Sequence, residues 1–231
     1  GNWFKKTNKR DKVILATKVA GPSRAYLRGG GNQFDIKNLT EALNGSLKRL
    51  QTDYIDLYQL HWPERNIAVF GQLDFKFDPK DNKWTPILEV LENLEKLVKS
   101  GKVRHVGLSN ESPWGILNFL NIAKENNLPK IVSVQNGYNL VNRIFDIANS
   151  EVSIRENCGL LAYSPLAGGR LSGKYIKKNK PKNCRYTLWP KRFSRHHTLR
   201  GENAIKKYVR LAKKNNISPS IFANAFVNSR P

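Results

Sequence analysis

Tyr54-Ile55-Asp56-Leu57-Tyr58-Gln59-Leu60-His61 is the stretch on which the fold turns. Tyr54 to Leu60 reads as a strand, short and rich in the aromatic and branched side chains that sheets favour, and His61 stands at its C-terminal end. The same unit recurs on either side. Upstream, Val13-Ile-Leu-Ala-Thr-Lys18 is a nearly continuous apolar run of the kind expected for a strand buried on both faces, and it closes on a charge. Gly21-Pro22 and Gly29-Gly30-Gly31 then make a loop, after which Ile36, Leu39, Ala42, Leu43, Leu47 and Leu50 recur at helical spacing. Downstream, Pro86 opens a helix over Ile87 to Lys99 with Leu88, Leu91, Leu94, Leu97 and Val98 on one side and Gly101 as its stop. Val103 to Leu108 reads as a strand, Trp114 to Glu125 as a helix, Ile131 to Gln135 as a strand, Phe145 to Glu156 as a helix and Leu160 to Tyr163 as a strand. Helices at about 202 to 214 and, after Ser218-Pro219, about 220 to 228 follow.

Strands alternating with helices at this spacing pair in parallel through right-handed crossovers, so the class is α/β, either an open doubly wound sheet or a (β/α)8 barrel. Polar residues decide between them. Lys18, His61, Ser109-Asn110, Gln135 and Tyr163-Ser164 each lie at the C-terminal end of a different strand. A barrel gathers such ends around one mouth, whereas an open sheet splays them. No G-x-G-x-x-G follows a strand, which removes the usual mark of a Rossmann site. The expectation is therefore a partial (β/α)8 TIM barrel.

The chain of 231 residues is 39% hydrophobic and 25% charged, enough for one sizeable core and for a single domain over 1–231. Its five Trp, eight Tyr and ten Phe argue against disorder, and no apolar run reaches the length that crosses a bilayer. Cys158 and Cys184 show no metal-ligand spacing and read as structural thiols of a reducing compartment, which predicts a cytoplasmic protein. Lys and Arg number 40 against 18 Asp and Glu, a formal charge of +22. Such a balance raises nucleic acid as a partner, and binding driven by charge alone would ignore sequence and weaken steeply with salt. The cations are spread along the chain and interleaved with Asn, densest at Lys5 to Lys12 and Lys174 to Lys214. Solvated surface charge or an AT-rich coding bias accounts for that pattern, so no specific nucleic acid partner is expected. The absence of Met and the ends Gly1-Asn2-Trp3-Phe4 and Asn228-Ser229-Arg230-Pro231 lead to the expectation of a domain truncated at both ends.

Two residues invite chemistry. A neutral imidazole at His61 can donate a hydrogen bond to a substrate oxygen, although a histidine capping its own strand is the simpler reading. Lys18 is a cation closing an apolar strand, costly unless a carboxylate or a reacting group accounts for it. Around them, Ala16-Thr17-Lys18, the block from Leu47 to His61-Trp62-Pro63, Gly101-Lys-Val-Arg-His-Val-Gly107-Leu-Ser-Asn110 and Tyr163-Ser-Pro-Leu-Ala-Gly-Gly-Arg-Leu-Ser-Gly-Lys-Tyr175 resemble the aldo-keto reductase superfamily. The likeness covers nearly the whole chain and is strongest to the bacterial Tas-type members, related to the potassium channel β-subunit branch.

The resemblance implies NADPH-dependent reduction of an aldehyde or ketone, a small-molecule carbonyl substrate, by a tetrad of Asp, Tyr, Lys and His. Lys18 would be the lysine, which lowers the tyrosine's pKa, and His61 the histidine, which orients the carbonyl and stabilises developing negative charge. No residue here matches the family's Asp and Tyr, so what remains corresponds to strands three to seven of eight, short of the roughly 250 residues of a complete barrel. The expectation is that these 231 residues are inactive alone. Ser109, Asn110 and Gln135 match positions that hold the nicotinamide carboxamide, and Tyr163 the ring stacked on it. Ser164, Leu166, Gly168 and Lys174 resemble the pyrophosphate clasp, with Arg185 toward the adenosine end. Taken singly, each Gly is an ordinary turn and Lys174 a solvated charge. Trp62 would wall the substrate pocket, and the long connection from Pro63 to Trp84, with Phe70, Phe75 and Phe77, would shape substrate choice. Asp53 and Asp56 lie toward the start of their strand and read as structural. The alternative to catalysis is an NADPH-binding redox-sensing or regulatory subunit with little turnover.

Overall fold

Five strands, β1 (Ala16–Val19), β2 (Ile55–Leu60), β3 (Val103–Ser109), β4 (Ile131–Gln135) and β5 (Gly159–Leu160), pair in parallel in chain order. This is the computed structural model of the chain, and it describes residues 1–22, 26–30, 33–176, 181–190 and 198–230. Among the described residues β1 and β5 each pair on one side only, so the sheet is a parallel α/β sheet that is not closed into a barrel. Two compact units are present, one of Gly1–Gln135 with Val152–Leu160 and one of Asn136–Glu151 with Leu161–Pro231.

In the first unit the crossovers are helical for reasons written locally. Helix α2 (Ile36–Leu50) starts where the Asp35 side chain accepts a hydrogen bond from Asn38 N (2.9 Å), and it ends where Gln51 turns left-handed at φ 54°. Helix α3 (Ile87–Lys99) follows Pro86 and buries Ile87, Val90, Leu91, Leu94 and Leu97, while Leu88, expected on the inner face, is exposed. Helix α4 (Pro113–Glu125) is capped by Ser112, whose hydroxyl accepts from Gly115 N (3.2 Å), and buries Ile116, Phe119, Leu120 and Ala123.

The register assigns side chains to the two faces of the sheet, because neighbours in a parallel ladder point the same way and successive residues alternate. Val19, Leu60, Leu108 and Val134 form one row, and all four are buried. Tyr58, two residues before Leu60, shares their face and donates its hydroxyl to Leu39 O of α2 (3.0 Å), which identifies the helix-covered side. Lys18, Gln59, Gly107 and Ser133 form the preceding row on the opposite face. Ser109 and Gln135 are paired two residues further along that same face. Gly107 suits its row, since a Cβ there would press on β4 at 3.0 Å from both Ser133 O and Ser133 Oγ.

At the N-terminal end of the strands the buried Asp56 bridges two arginines, Arg10 Nη2 at 2.7 Å and Arg104 Nη1 at 2.7 Å, and accepts from Leu15 N at 2.9 Å. Both guanidinium groups also lie against the Tyr54 ring, at 3.9 and 4.1 Å from its centroid. Burial pushes the Asp56 carboxyl up, but the Leu15 amide and the two arginines outweigh it and hold the group below the usual aspartate range.

Several expectations need correction. The apolar run from Val13 does not form a strand buried on both faces: β1 begins at Ala16, and Ile14 is 85% exposed. Backbone bonding to β2 reaches back only to Leu15, whose carbonyl accepts from Asp56 N (3.0 Å) and Leu57 N (3.1 Å) and whose amide donates to the Asp56 carboxylate (2.9 Å), while Val13 O accepts from Arg10 Nη1 (2.9 Å). Lys18 does not close its strand, which continues through Val19. The helix expected over Phe145 to Glu156 is two short helices, α5 (Ile144–Ile147) and α6 (Asn149–Arg155), because Ala148 leaves the helical basin at φ −142°. The strand expected over Leu160 to Tyr163 stops at Leu160, and Tyr163 forms an isolated parallel bridge with Gly137. A short helix α1 (Asn2–Thr7) was not expected. Gly31 of the glycine-rich stretch lies outside the described residues.

The second unit carries α7 (Arg185–Leu188), α8 (Leu199–Lys214) and α9 (Pro219–Asn228). Its core gathers Leu140, Ala167, Leu171, Ile205, Val209 and Ala223. Helix α8 starts earlier than its apolar spacing suggested because the Thr198 hydroxyl caps Gly201 N (3.0 Å). Among the described residues no helix is long and apolar enough to cross a membrane.

Candidate active site

The polar row of the first unit is assembled by backbone as much as by side chains. Lys18 is half-buried in β1, and burial lowers its pKa from the ordinary lysine value. His61 follows β2, donates its amide to Val19 O (3.0 Å) and offers its own carbonyl to Asn110 Nδ2 (2.8 Å). Asn110 sits just past β3 in the left-handed region at φ 52°, a conformation asparagine tolerates better than most residues. Its amide donates to Gln135 O (3.0 Å), as does the Ser109 hydroxyl (2.8 Å), and Asn110 Nδ2 also lies 3.2 Å from Ser109 Oγ. His61, Ser109, Asn110 and Gln135 are thereby joined into one hydrogen-bonded set at the C-terminal edge of β2 to β4.

Trp62 stands beside this set. Its ring is 4.6 Å from that of His61 and 6.4 Å from that of Phe70, and its indole N–H donates to Pro22 O (3.1 Å). Gly21 makes room for it, since a Cβ there would come within 2.6 Å of Trp62 Nε1.

Three charged residues next to the expected ones escaped the sequence reading. Glu64 accepts from Phe34 N, Thr85 N (2.7 Å) and Thr85 Oγ1 (3.1 Å), so it closes the base of the connection between β2 and α3. Arg65 forms a two-point pair with Glu111, through Nη2 to Oε1 and Nη1 to Oε2 (3.2 Å). Burial pushes the Glu111 carboxyl above the usual glutamate range, more than Arg65 and Ser112 pull it down, and burial likewise raises Glu64. Position was the available signal: Glu64 and Arg65 follow His61-Trp62-Pro63, and Glu111 follows Ser109-Asn110. Nothing in the spacing says that Arg65 and Glu111 meet.

The second unit holds the remaining expected residues. Tyr163 donates its amide to Asn136 O (3.0 Å) and accepts from Tyr138 N (3.3 Å), while Gly137 leaves its ring space, a Cβ there lying 3.1 Å from Tyr163 Cζ. Ser164 is left-handed at φ 58°, and its carbonyl accepts from Asn139 Nδ2 (2.9 Å) and Ala167 N (2.8 Å). Leu166 precedes a 3-10 segment, Ala167–Ser172, in which Ala167, Gly168 and Gly169 take φ values of 48°, 68° and 96°. A side chain at Gly168 would be strained and would also press on the Tyr186 hydroxyl, 2.8 Å away. Arg170 in this loop is buried, pairs with Glu202 (3.1 Å) and leaves its Nε without a hydrogen-bond partner. Lys174 and Arg185 are exposed.

Each unit's set has a chemistry of its own. Hydroxyl and amide groups at the strand ends can pair with a carboxamide. A loop of successive left-handed residues with an orphaned buried guanidinium N–H and a nearby lysine suits a phosphate.

The sequence profile of the Aldo/keto reductase family matches residues 1–231. The chain belongs to the aldo/keto reductase family. It is 42% identical to protein tas of Escherichia coli over 233 aligned residues, an alignment spanning all of this chain and 67% of that protein. It is 40% identical to an aldo-keto reductase of Babesia bovis, across 87% of this chain and 75% of the relative. It is also 34% identical to the uncharacterized oxidoreductase YrpG of Bacillus subtilis, across 78% of this chain and 50% of the relative. Family membership makes the chain an oxidoreductase from a family that generally uses NAD(P)H and acts on small carbonyl compounds. The likeness to Tas-type members expected from the motifs is thus found over the full chain.

Proposed function

We propose that this chain carries the carbonyl-orienting and cofactor-holding part of a cytoplasmic, NADPH-dependent reductase of aldehydes or ketones. The observation that carries the reading is the shared sheet face of Lys18, Ser109 and Gln135, with His61 tied to the last two through Asn110. NADPH bound there would supply the hydride. Ser109, Asn110 and Gln135 would hold its carboxamide, and Tyr163 would stack on its ring. The loop of Ser164, Leu166, Gly168 and Lys174 would take the pyrophosphate, with Arg185 toward the adenosine.

His61 would donate a hydrogen bond to the substrate oxygen as negative charge develops on it, and Trp62 would form an apolar wall beside the carbonyl. Lys18 is the residue whose proton is eased by burial, in keeping with a role beside a proton donor. Of the tetrad that such reductases use, this sequence provides the lysine and the histidine, so reduction is proposed for the protein in which the Asp and Tyr are also present. An aryl-alcohol name among the relatives, that of a yeast protein 27% identical, supports testing aromatic aldehydes first.

The test is fluorescence titration of the folded chain with NADPH, and the expected result is saturable binding that Asn110→Ala weakens and NADP+ displaces. Turnover of 4-nitrobenzaldehyde, followed at 340 nm, is expected to be absent for these 231 residues alone. A folded chain with no saturable binding of NADPH or NADH would overturn the reading.

A further inference from the structure

The segment between β2 and α3 is fastened by charged residues to which the proposed function assigns no part. Arg65 and Glu111 are 46 positions apart, and their side chains are only 10% and 3% exposed. Arg65 Nη2 also reaches Ser112 Oγ (3.2 Å), and its guanidinium lies 4.8 Å from the centre of the Trp114 ring. Glu111 accepts from Ser112 N (2.7 Å), just ahead of α4. Gly115, in the first turn of α4, is what leaves the pair its space, because any Cβ there would overlap both Arg65 Nη2 and Glu111 Oε1. The segment after β2 is therefore joined to the segment after β3 by Asn110 Nδ2 to His61 O and by Arg65 to Glu111 and Ser112.

We propose that the Arg65–Glu111 ion pair is a positioning device that holds the segment after β2 against the segment after β3, so that His61 and Asn110 keep a fixed spacing. Its catalytic meaning rests on the function proposed above. A buried pair is a weak source of net stability, since well-packed apolar side chains of similar volume serve as well. What a bidentate guanidinium–carboxylate pair provides is direction, since two parallel N–H bonds fix the angle as well as the distance. His61 lies four residues from Arg65 and Asn110 adjoins Glu111, so this geometry is transmitted over a few bonds on each side. Lysine would retain the charge at position 65 and lose both the fork and the face that stacks on Trp114.

The test compares the unaltered chain with Arg65→Lys and Glu111→Gln, both mild enough to leave the core apolar contacts in place. One readout is independent of cofactor: the ring signals of His61 in two-dimensional NMR, with His105 of β3 as internal control. Breaking the pair is expected to shift or broaden the His61 signals and the Asn110 side-chain amide while His105 stays unchanged. The second readout is NADPH affinity, expected to fall on the order of tenfold, less than the roughly 100-fold that a 1 Å misplacement of reacting groups can cost. His61 and Asn110 signals unchanged in both folded variants would overturn the proposal. So would altered His61 signals combined with undiminished NADPH affinity. If the unaltered chain binds no NADPH, the proposed function fails, and the NMR comparison still decides whether the pair positions His61. Should Glu111→Gln not fold, Arg65→Lys carries both readouts.

Discussion

Replacing Asp56 by Asn removes one negative charge from between two arginines and leaves the shape of the site almost intact. The pair with Arg10 is the costly one to break: the two side chains are 15% and 9% exposed, and uncovering a buried charge in this way costs about 3 to 5 kcal/mol. The pair with Arg104 counts for much less, because Arg104 is 58% exposed and water screens it, so about 1 kcal/mol or less is assigned to it. Asn retains an acceptor for Leu15 N, which places the expected loss for Asp56→Asn near the lower limit, about 3 kcal/mol. Arg104→Ala should cost about 1 kcal/mol, including its contact with Tyr54. The pH dependence follows from the depressed Asp56 pKa. The folded state binds this proton less readily than the unfolded chain, whose aspartate titrates near about 3.9. The contribution is therefore complete above that value and is lost as pH falls through the native pKa. Urea unfolding followed by circular dichroism, at several pH values from neutral downward, should show the difference between the unaltered chain and Asp56→Asn at full size near pH 7. It should shrink below about pH 4. A difference that stays constant into the acid range, or an Arg104→Ala loss equal to that of Asp56→Asn, would refute the assignment of the energy to a buried Asp56–Arg10 pair.

Two further outcomes follow. Gly168→Ala should destabilise the second unit by about 1 to 2 kcal/mol, since alanine dislikes φ 68° and its methyl would press on Tyr186, and thermal unfolding of that variant measures it. Cys158 is fully buried, and burial raises its thiol to about 11, so it should resist iodoacetamide at pH 8 until the chain unfolds, with mass spectrometry reading the label on each cysteine.

The sequence spoke most clearly where one periodicity served one surface. Ile36–Leu50 and Ile87–Lys99 were visible from apolar spacing and end signals, and Ile131–Gln135 from a short branched run. Val13 and Ile14 misled because apolar identity predicts burial only where the backbone is in the sheet, and the bonding to β2 reaches back no further than Leu15, with Val13 O taken by Arg10. The break at Ala148 carried no glycine or proline to announce it. For the site, strand-end position pointed to His61, Ser109, Asn110 and Gln135, which the backbone does join in one set. The meeting of Arg65 with Glu111, like that of Arg10 with Asp56, depends on folding over 46 residues in each case, beyond the reach of local spacing.

The alternation along β2 to β4 gives these strands two separate tolerances. Tyr58, Leu60, Leu108 and Val134 answer to the helices, and Gln59, Gly107, Ser109 and Ser133 to the opposite side. Natural variation can thus alter reactivity at one set of positions while solvent-excluded packing at the other goes untouched. A single-residue insertion inside β3 would turn the β3 residues beyond it to the wrong face, Leu108 leaving the helices and Ser109 moving to them, so length within these strands should drift far less readily than composition.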